Sequence, residues 1–546
     1  MNRLVSLVRT RLDERTWSRE VVLIAILLLL CVTLFFFGLG TRPLWDIDEG
    51  MHAATSKDMV LSGDWITPTF NGENFYDKPI LYNWLAAISF VVFGFTEFAA
   101  RLPAAILGLG CVLITYLLGR KMFGPTIGFL GGVILATSPE YIILSRAVVH
   151  DISLVFFVTL ALSSFFMGFT SGTHRKAYLL LFYAASGFAV LAKGPIGLLL
   201  PSLIIGLFLV LRGRLNFLKE MHLGWGILIF LIIAAPWYIL ISLSNSDYAS
   251  YFFIQQNLLR FLSQEARHHE PFYFYFPVLL GGFFPWSLLL PLALLRAFRQ
   301  RQEVTEGTVF LVVWFGVVFL FFSMASSKLD PYILPLFPAV SLLVAKLWQE
   351  LIEAPTQQLR RGFLYSFIPL LVILPLGTAY ILIFPLTRLN FKYGIDLVRV
   401  NYLVFSLVGI VAISFVFFFK KHYRGFFSGL VGMVVIVILL FIILIVPSIN
   451  PYRSTKVLGK KLDQIMAPGE TLVFFDKMKD SALFYTNRKA LVLRTPQQLR
   501  DYLALNKKVF CLVERKHYNT LEELGKPAYV VDQEGKTSII SNKKLF

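Results

Sequence analysis

Charge is scarce in this chain. Asp, Glu, Lys and Arg supply 15% of its 546 residues against 57% apolar ones, and the mean hydropathy is +0.69. That balance excludes an ordinary soluble globular protein and points to a polytopic membrane protein. Cysteine is scarcer still, with three in all. Cys31 and Cys111 lie in apolar runs and Cys511 in a strand-like stretch, so they read as packing residues rather than a disulfide framework. Acidic residues number 33 against 51 basic ones, a formal net charge of +18. The surplus is spread over short loops, which argues against nucleic acid and fits positive-inside topology and anionic lipid. Repeats of fixed period and low-complexity linkers are absent from the sequence. No small-residue cleavage site follows the basic N-terminus "MNRLVSLVRTRLDERTWSRE", so the apolar run after it reads as a retained first helix, not a signal peptide.

Aromatic residues, by contrast, are plentiful: 53 Phe, 22 Tyr and 9 Trp, as suits side chains facing lipid and its interface. Apolar runs of spanning length recur at 21–39, 102–119, 125–138, 152–170, 177–192, 196–211, 223–242, 274–295, 307–323, 331–347, 364–384, 403–419 and 426–447, about thirteen helices. Every second connection is basic, as in Arg120/Lys121, Arg175/Lys176, Arg212/Arg214/Lys219, Arg296/Arg299/Arg301, Arg360/Arg361 and Lys420/Lys421/Arg424. The rule places these turns and the N-terminus in the cytoplasm, and odd parity places the C-terminus outside. The stretch 78–94 is apolar but short; counting it as a span would invert the charge pattern, so it is expected to lie in the outer interface. After about 450, "ETLVFFD", "KALVLRT", "KVFCLVE" and "AYVVDQE" alternate with helical stretches such as "TPQQLRDYLALN". This predicts a small α/β domain over 451–546 following a transmembrane domain over 1–450.

The unusual polar groups all fall on the outer face. The first loop carries Asp46, Asp48 and Glu49 in "RPLWDIDEGMHAAT", then Tyr76, Asp77 and Lys78 in "NGENFYDKP", and Tyr82 and Trp84 in "YNW". "SRAVVHD" brings Arg146, His150 and Asp151, "AKGP" brings Lys193, and "SSKLDPY" brings Lys328 and Asp330. Arg260, His268 and His269 lie in "QQNLLRFLSQEARHHEPFYFY". Carboxylates facing Lys and Arg from several loops can do specific work: a carboxylate can act as general base on an acceptor hydroxyl, and the cations can hold a phosphate leaving group. The aromatic residues suit a sugar ring or lipid tail. Each element also has a plainer reading: Asp46, Asp48 and Glu49 as helix-start residues, Lys193 as a snorkelling side chain, and His268/His269 as a solvated loop. Agreement among five loops on one face, with both signs of charge, favours function. A transporter would keep its charges near the midplane and tend to show repeated halves, and neither is seen.

"DEGMHAA…SGDWITPTFNGENFYDKPILYNWL", followed in order by "RAVVHD", "LAKGPIGLLLP" and "SKLDPYILPLFPA", resembles bacterial protein-mannosyltransferase-type glycosyltransferases, nearest the undecaprenyl-phosphate-aminoarabinose: lipid A transferases. The resemblance covers most of the transmembrane part. It implies the GT-C membrane fold with about thirteen helices, a polyprenyl-phosphate-sugar donor and inverting transfer at the periplasmic face of the inner membrane. It also implies a small periplasmic C-terminal domain, and lipid A or another envelope acceptor. By motif, Asp48 is the catalytic carboxylate with Glu49 beside it, and Asp151 the second acidic residue. Lys78 contacts the donor phosphate, helped by Lys193, Lys328 and Arg260. Asp46, Tyr76, Tyr82 and Trp84 would line the substrate. A divalent metal would be held by Asp77 with His268 or His269. A monomer is expected. The chain departs from the pattern at Gly50-Met51-His52, where relatives read Thr-Arg-Tyr; Arg146 or Arg260 would replace the missing arginine. These changes bear on sugar and acceptor more than on reaction class. Transfer to protein Ser/Thr or another envelope glycan is the rival.

Overall fold

A computed structural model describes residues 19–259, 270–299, 305–383, 397–518 and 528–544. Twelve of the thirteen apolar runs each carry one helix, in places a few residues short of the run, and the run 274–295 carries two helices bent by 116°. They form α1 (Arg19–Phe36), α4 (Glu97–Phe123), α5 (Pro125–Ala136), α7 (Asp151–Thr170), α8 (Arg175–Lys193), α9 (Ile196–Leu211) and α10 (Leu223–Ser244). The series continues with the pair α12 (Tyr275–Gly282) and α13 (Leu290–Arg299), then α14 (Glu306–Met324), α15 (Phe337–Glu353), α16 (Gln357–Ile383), α17 (Leu397–Phe419) and α18 (Tyr423–Arg453). Among the described residues, ten helices are long and apolar enough to cross a membrane, eleven if the bent α12–α13 pair is one span; α5 and α9 are shorter. The protein is therefore a multi-pass membrane protein.

Local chemistry sets the ends of these helices. Thr96 caps α4 by accepting from the Ala99 N–H at 3.1 Å, with Glu97 in the first turn and Arg120 and Lys121 in the last. This is the arrangement that complements the orphan backbone groups and the helix dipole. Between helices, small residues replace bulk: a Cβ on Gly119 would fall 2.8 Å from the Gly128 Cα, so α4 and α5 touch backbone to backbone.

Two features build the face that carries the expected site. The loop after α1 contains α2 (Asp48–Ser62), a two-stranded hairpin β1–β2 (Thr69–Phe70, Glu73–Asn74) and α3 (Leu81–Phe93). The last of these is the short apolar segment expected in the interface; its Val91, Val92 and Phe93 remain exposed. The second feature is the C-terminal unit, which follows a helix that runs unbroken to Arg453. Its sheet has the order β4 (Ala490–Leu493), β3 (Leu472–Phe475), β5 (Phe510–Glu514), β7 (Thr537–Ser541), β6 (Tyr529–Glu534). The first three strands run parallel, and β7 is antiparallel to both its neighbours. Val473 and Phe475 face Leu499 and Leu503 of one helix, while Leu472 and Phe474 face Leu458 and Leu462 of another. Covering on both sides explains why "LVFF" is a continuous apolar run rather than an alternating one.

Candidate active site

Glu49 is the most tightly held of the expected residues. Arg101 donates to both its oxygens, Nε at 2.8 Å and Nη2 at 2.9 Å, and Arg42 Nη2 adds a third bond at 2.8 Å. The Trp45 and Val148 N–H groups complete the shell. Burial pushes this carboxyl up, but Arg101 and then Arg42 overcome it and hold it down at about 2. Arg101 also donates to the carbonyls of Leu39, Arg42 and Pro43, so one guanidinium fixes the whole turn between α1 and α2. With both oxygens occupied, Glu49 braces its neighbours. Arg101 was legible only as the charge just ahead of an apolar run.

Asp48, by contrast, is exposed at the first residue of α2. His52 lies one turn further along the same helical face. Its ring packs 4.4 Å from that of His150, which in turn lies 5.3 Å from the ring of Tyr82. His150 immediately precedes Asp151, the first residue of α7, whose carboxylate pairs with the Lys193 ammonium. Lys193 is the last residue of α8, where Gly194 turns the chain with φ +81°, a conformation that suits a residue with no Cβ. The same ammonium sits 4.2 Å over the ring of Tyr332, just past Asp330-Pro331. The Lys78 charge reaches both histidines: burial, then Lys78, pushes His52 down to about 3 against the opposing pull of Asp151. His150 falls well below the ordinary imidazole value through burial, then His52, Lys78 and Lys193. Three loops and two helix ends thus converge on the Asp151–Lys193 pair.

Other expected residues do different work. The Lys328 ammonium donates to the carbonyls of Ala325 and Glu270 and is buried, so it ties its loop instead of facing a phosphate. Arg146 donates to the carbonyls of Leu34 and Phe37 at the end of α1, which occupies the guanidinium expected to replace the missing arginine. Tyr82 donates to the Ala100 carbonyl and Trp84 to that of Trp65. Tyr76 stacks edge-on against Tyr248. Asp77 accepts from the Tyr251 hydroxyl at 2.9 Å and from Gln256 at 3.2 Å. Arg260, His268 and His269 lie outside the described residues. Among the described residues no group of three His, Cys, Asp or Glu side chains is placed to hold a metal ion.

Asp46 turns away from this centre, toward the C-terminal unit. Its Oδ1 accepts from the Ser481 N–H at 2.7 Å, at the start of the short helix Asp480–Thr486. Contact is close: a Cβ on Gly50 would lie 2.5 Å from the same nitrogen. Lys57 donates to the Phe484 carbonyl, and the Leu44 N–H donates to the Tyr485 hydroxyl at 2.8 Å. Asp480 is left among carboxylates. Burial, then Asp46 and Asp48, push it up to about 7 from 3.8, against Lys479. An acid whose folded value is raised contributes stability below its unfolded value and loses it as pH rises through the folded one. Docking of this unit should therefore weaken between about pH 4 and about pH 7. Asp480→Asn is expected to flatten that decline, which thermal unfolding of the two proteins in detergent across this range would reveal.

The helical bundle with its polar loops gathered on one face, and a small mixed-sheet unit beside them, is the architecture of GT-C membrane enzymes. A crystal structure of ArnT from Cupriavidus metallidurans bound to undecaprenyl phosphate superimposes with a TM-score of 0.81, over 96% of this chain and 98% of that one, at 20% identity. Residues 77–240 match the family described as dolichyl-phosphate-mannose-protein mannosyltransferase. An undecaprenyl phosphate-α-4-amino-4-deoxy-L-arabinose arabinosyl transferase of an Enterobacter species is 30% identical over 396 residues, 70% of either chain. The chain belongs to this arabinosyl transferase family. The corresponding protein of Aeromonas hydrophila is 36% identical over 324 residues, 57% of this chain and 58% of its own length. Matches to several such relatives likewise take in under two thirds of their length.

Proposed function

We propose that the protein is an inverting glycosyltransferase that moves a sugar from a polyprenyl-phosphate donor to lipid A at the periplasmic face of the inner membrane. The sugar is of the 4-amino-4-deoxy-arabinose type. The observation that carries this reading is the Asp151–Lys193 pair at the convergence of the loops, with the Lys78 charge beside it and Asp48 one helical turn from His52. Family membership supports the donor class, and the alternating basic turns support a cytoplasmic N-terminus and a periplasmic C-terminal unit.

In this reading the acceptor oxygen attacks the anomeric carbon as the bond to the donor phosphate breaks. The bonding electrons leave with the polyprenyl phosphate. Lys78 and Lys193, with Arg260 beyond the described residues, stabilise that phosphate as its charge develops. Asp48 takes the proton from an acceptor hydroxyl; where the acceptor is already an anionic phosphate, it positions it. Asp151 pairs with the Lys193 ammonium and aims it. Asp77, with His268 or His269, would be the side chains to hold a divalent ion, which would add positive charge near the donor.

The test is transfer from undecaprenyl phosphate-α-4-amino-4-deoxy-L-arabinose to lipid A by purified protein in lipid, read by mass spectrometry with and without EDTA. A pentosamine increment on lipid A is expected. Unmodified lipid A, with sugar appearing instead on protein Ser or Thr, would move the acceptor to the rival suggested by the match over 77–240.

A further inference from the structure

His52 and His150 are 5% and 1% exposed, and three of their ring nitrogens, His52 Nδ1 and both nitrogens of His150, have no hydrogen-bond partner among the described residues. Orphaned polar atoms at this depth cost free energy and are uncommon in folded proteins. Their surroundings narrow what they await. Among the described residues the charged side chains acting on them are Lys78, Lys193 and Asp151, and burial beside two lysines favours the neutral imidazoles. A neutral imidazole presents one N–H donor and one bare acceptor nitrogen. A phosphate oxygen only accepts and would leave the acceptor nitrogen of His150 empty. A cation would meet repulsion from both lysines, and no third ligand stands beside the pair among the described residues. A hydroxyl both donates and accepts, so two hydroxyls, one at each nitrogen, satisfy the donor and the acceptor of the ring.

We propose that His52 and His150 form the subsite that hydrogen-bonds the hydroxyls of the transferred sugar, placing it beside the Asp151–Lys193 pair. The proposal rests on the glycosyl-transfer reading above. In it, the lysines hold the phosphate half of the donor and the histidines the sugar half. Hydrogen bonds to hydroxyls demand a matching partner, which makes this pair a determinant of which sugar is accepted. Its neighbours add shape: the rings of Tyr82 and Phe75 flank the two imidazoles at 5.3 and 6.1 Å.

The experiment compares two lipids on the full-length protein: undecaprenyl phosphate, and the same lipid carrying 4-amino-4-deoxy-L-arabinose. Affinities are measured for the unaltered protein, His150→Phe, His150→Gln and His52→Phe, each first shown to keep its thermal midpoint. His150→Phe is expected to weaken binding of the sugar-bearing lipid about tenfold and leave the bare lipid unchanged. His150→Gln, which retains a donor and an acceptor, should recover most of the loss. Equal weakening for both lipids would assign the pair to the phosphate or to the fold, and no weakening for either would remove it from the site; both results overturn the proposal. If His150→Phe is too unstable to assay, the same comparison is made with His52→Phe, where an unchanged preference for the sugar-bearing lipid overturns it. Transfer by the unaltered protein tests the glycosyltransferase reading separately, so a failure of the subsite leaves that result standing.

Discussion

Arg101→Met is expected to destabilise the protein by about 3–5 kcal/mol, because it breaks a buried ion pair and leaves one charge behind. Glu49 would keep Arg42 as a partner, but Arg42 is partly exposed and contributes a single bond. Three backbone carbonyls, those of Leu39, Arg42 and Pro43, would lose their donor in the same step. The loss should appear as a lower thermal midpoint in detergent and as faster proteolysis between α1 and α2. Pairing the change with Glu49→Met should restore part of the loss, since an apolar pair no longer strands a charge. A double variant less stable than Arg101→Met alone would show that Glu49 has work beyond the clamp.

Asp48→Asn is expected to lower sugar transfer by about 10²–10⁴-fold, the usual worth of a positioned general base. Stability should hold or rise slightly, because Asp48 is exposed and its charge opposes that of Asp480. Asp46→Asn serves as the internal comparison. Its carboxylate is engaged by the Ser481 N–H, so its replacement should loosen the docked unit while reducing the rate far less. Transfer per mole of folded protein, scored by the pentosamine increment on lipid A, separates the two. Equal rates for Asp48→Asn and the unaltered protein would remove this carboxylate from the reaction.

The membrane part of the fold was readable because hydropathy and loop charge are local signals. Twelve of the thirteen runs are single helices and one is a bent pair, and even the short segment expected in the interface ends at a glycine just after Phe93. In the C-terminal unit the strand-like phrases became β3 to β6, and the helix at 496 begins with a capping box between Thr495 and Gln498. Strand β7, "TSIIS", escaped notice because polar residues flank only two apolar ones, although all five are buried. Site residues were legible by loop but not by partner. Nothing local to "SSKLDPY" says that Lys328 would bond carbonyls, or local to "AARLPAA" that Arg101 would reach back to Glu49. His52 and His150 sit in separate phrases, and only packing brings their rings together.

The bond between Asp46 and Ser481 joins residues 435 positions apart. At translation rates of roughly 5–20 residues per second, Ser481 is made roughly 20–90 s after the turn it steadies. During that interval Asp48, Lys78, Asp151 and Lys193 can all be in the bilayer while the start of α2 still lacks Ser481, Phe484 and Tyr485. A chain arrested or clipped before this point would carry every residue assigned to the reaction without the contacts that set the acidic turn. The order of synthesis thus makes the docked form of the acidic turn a late event, reached only once the C-terminal unit has been made.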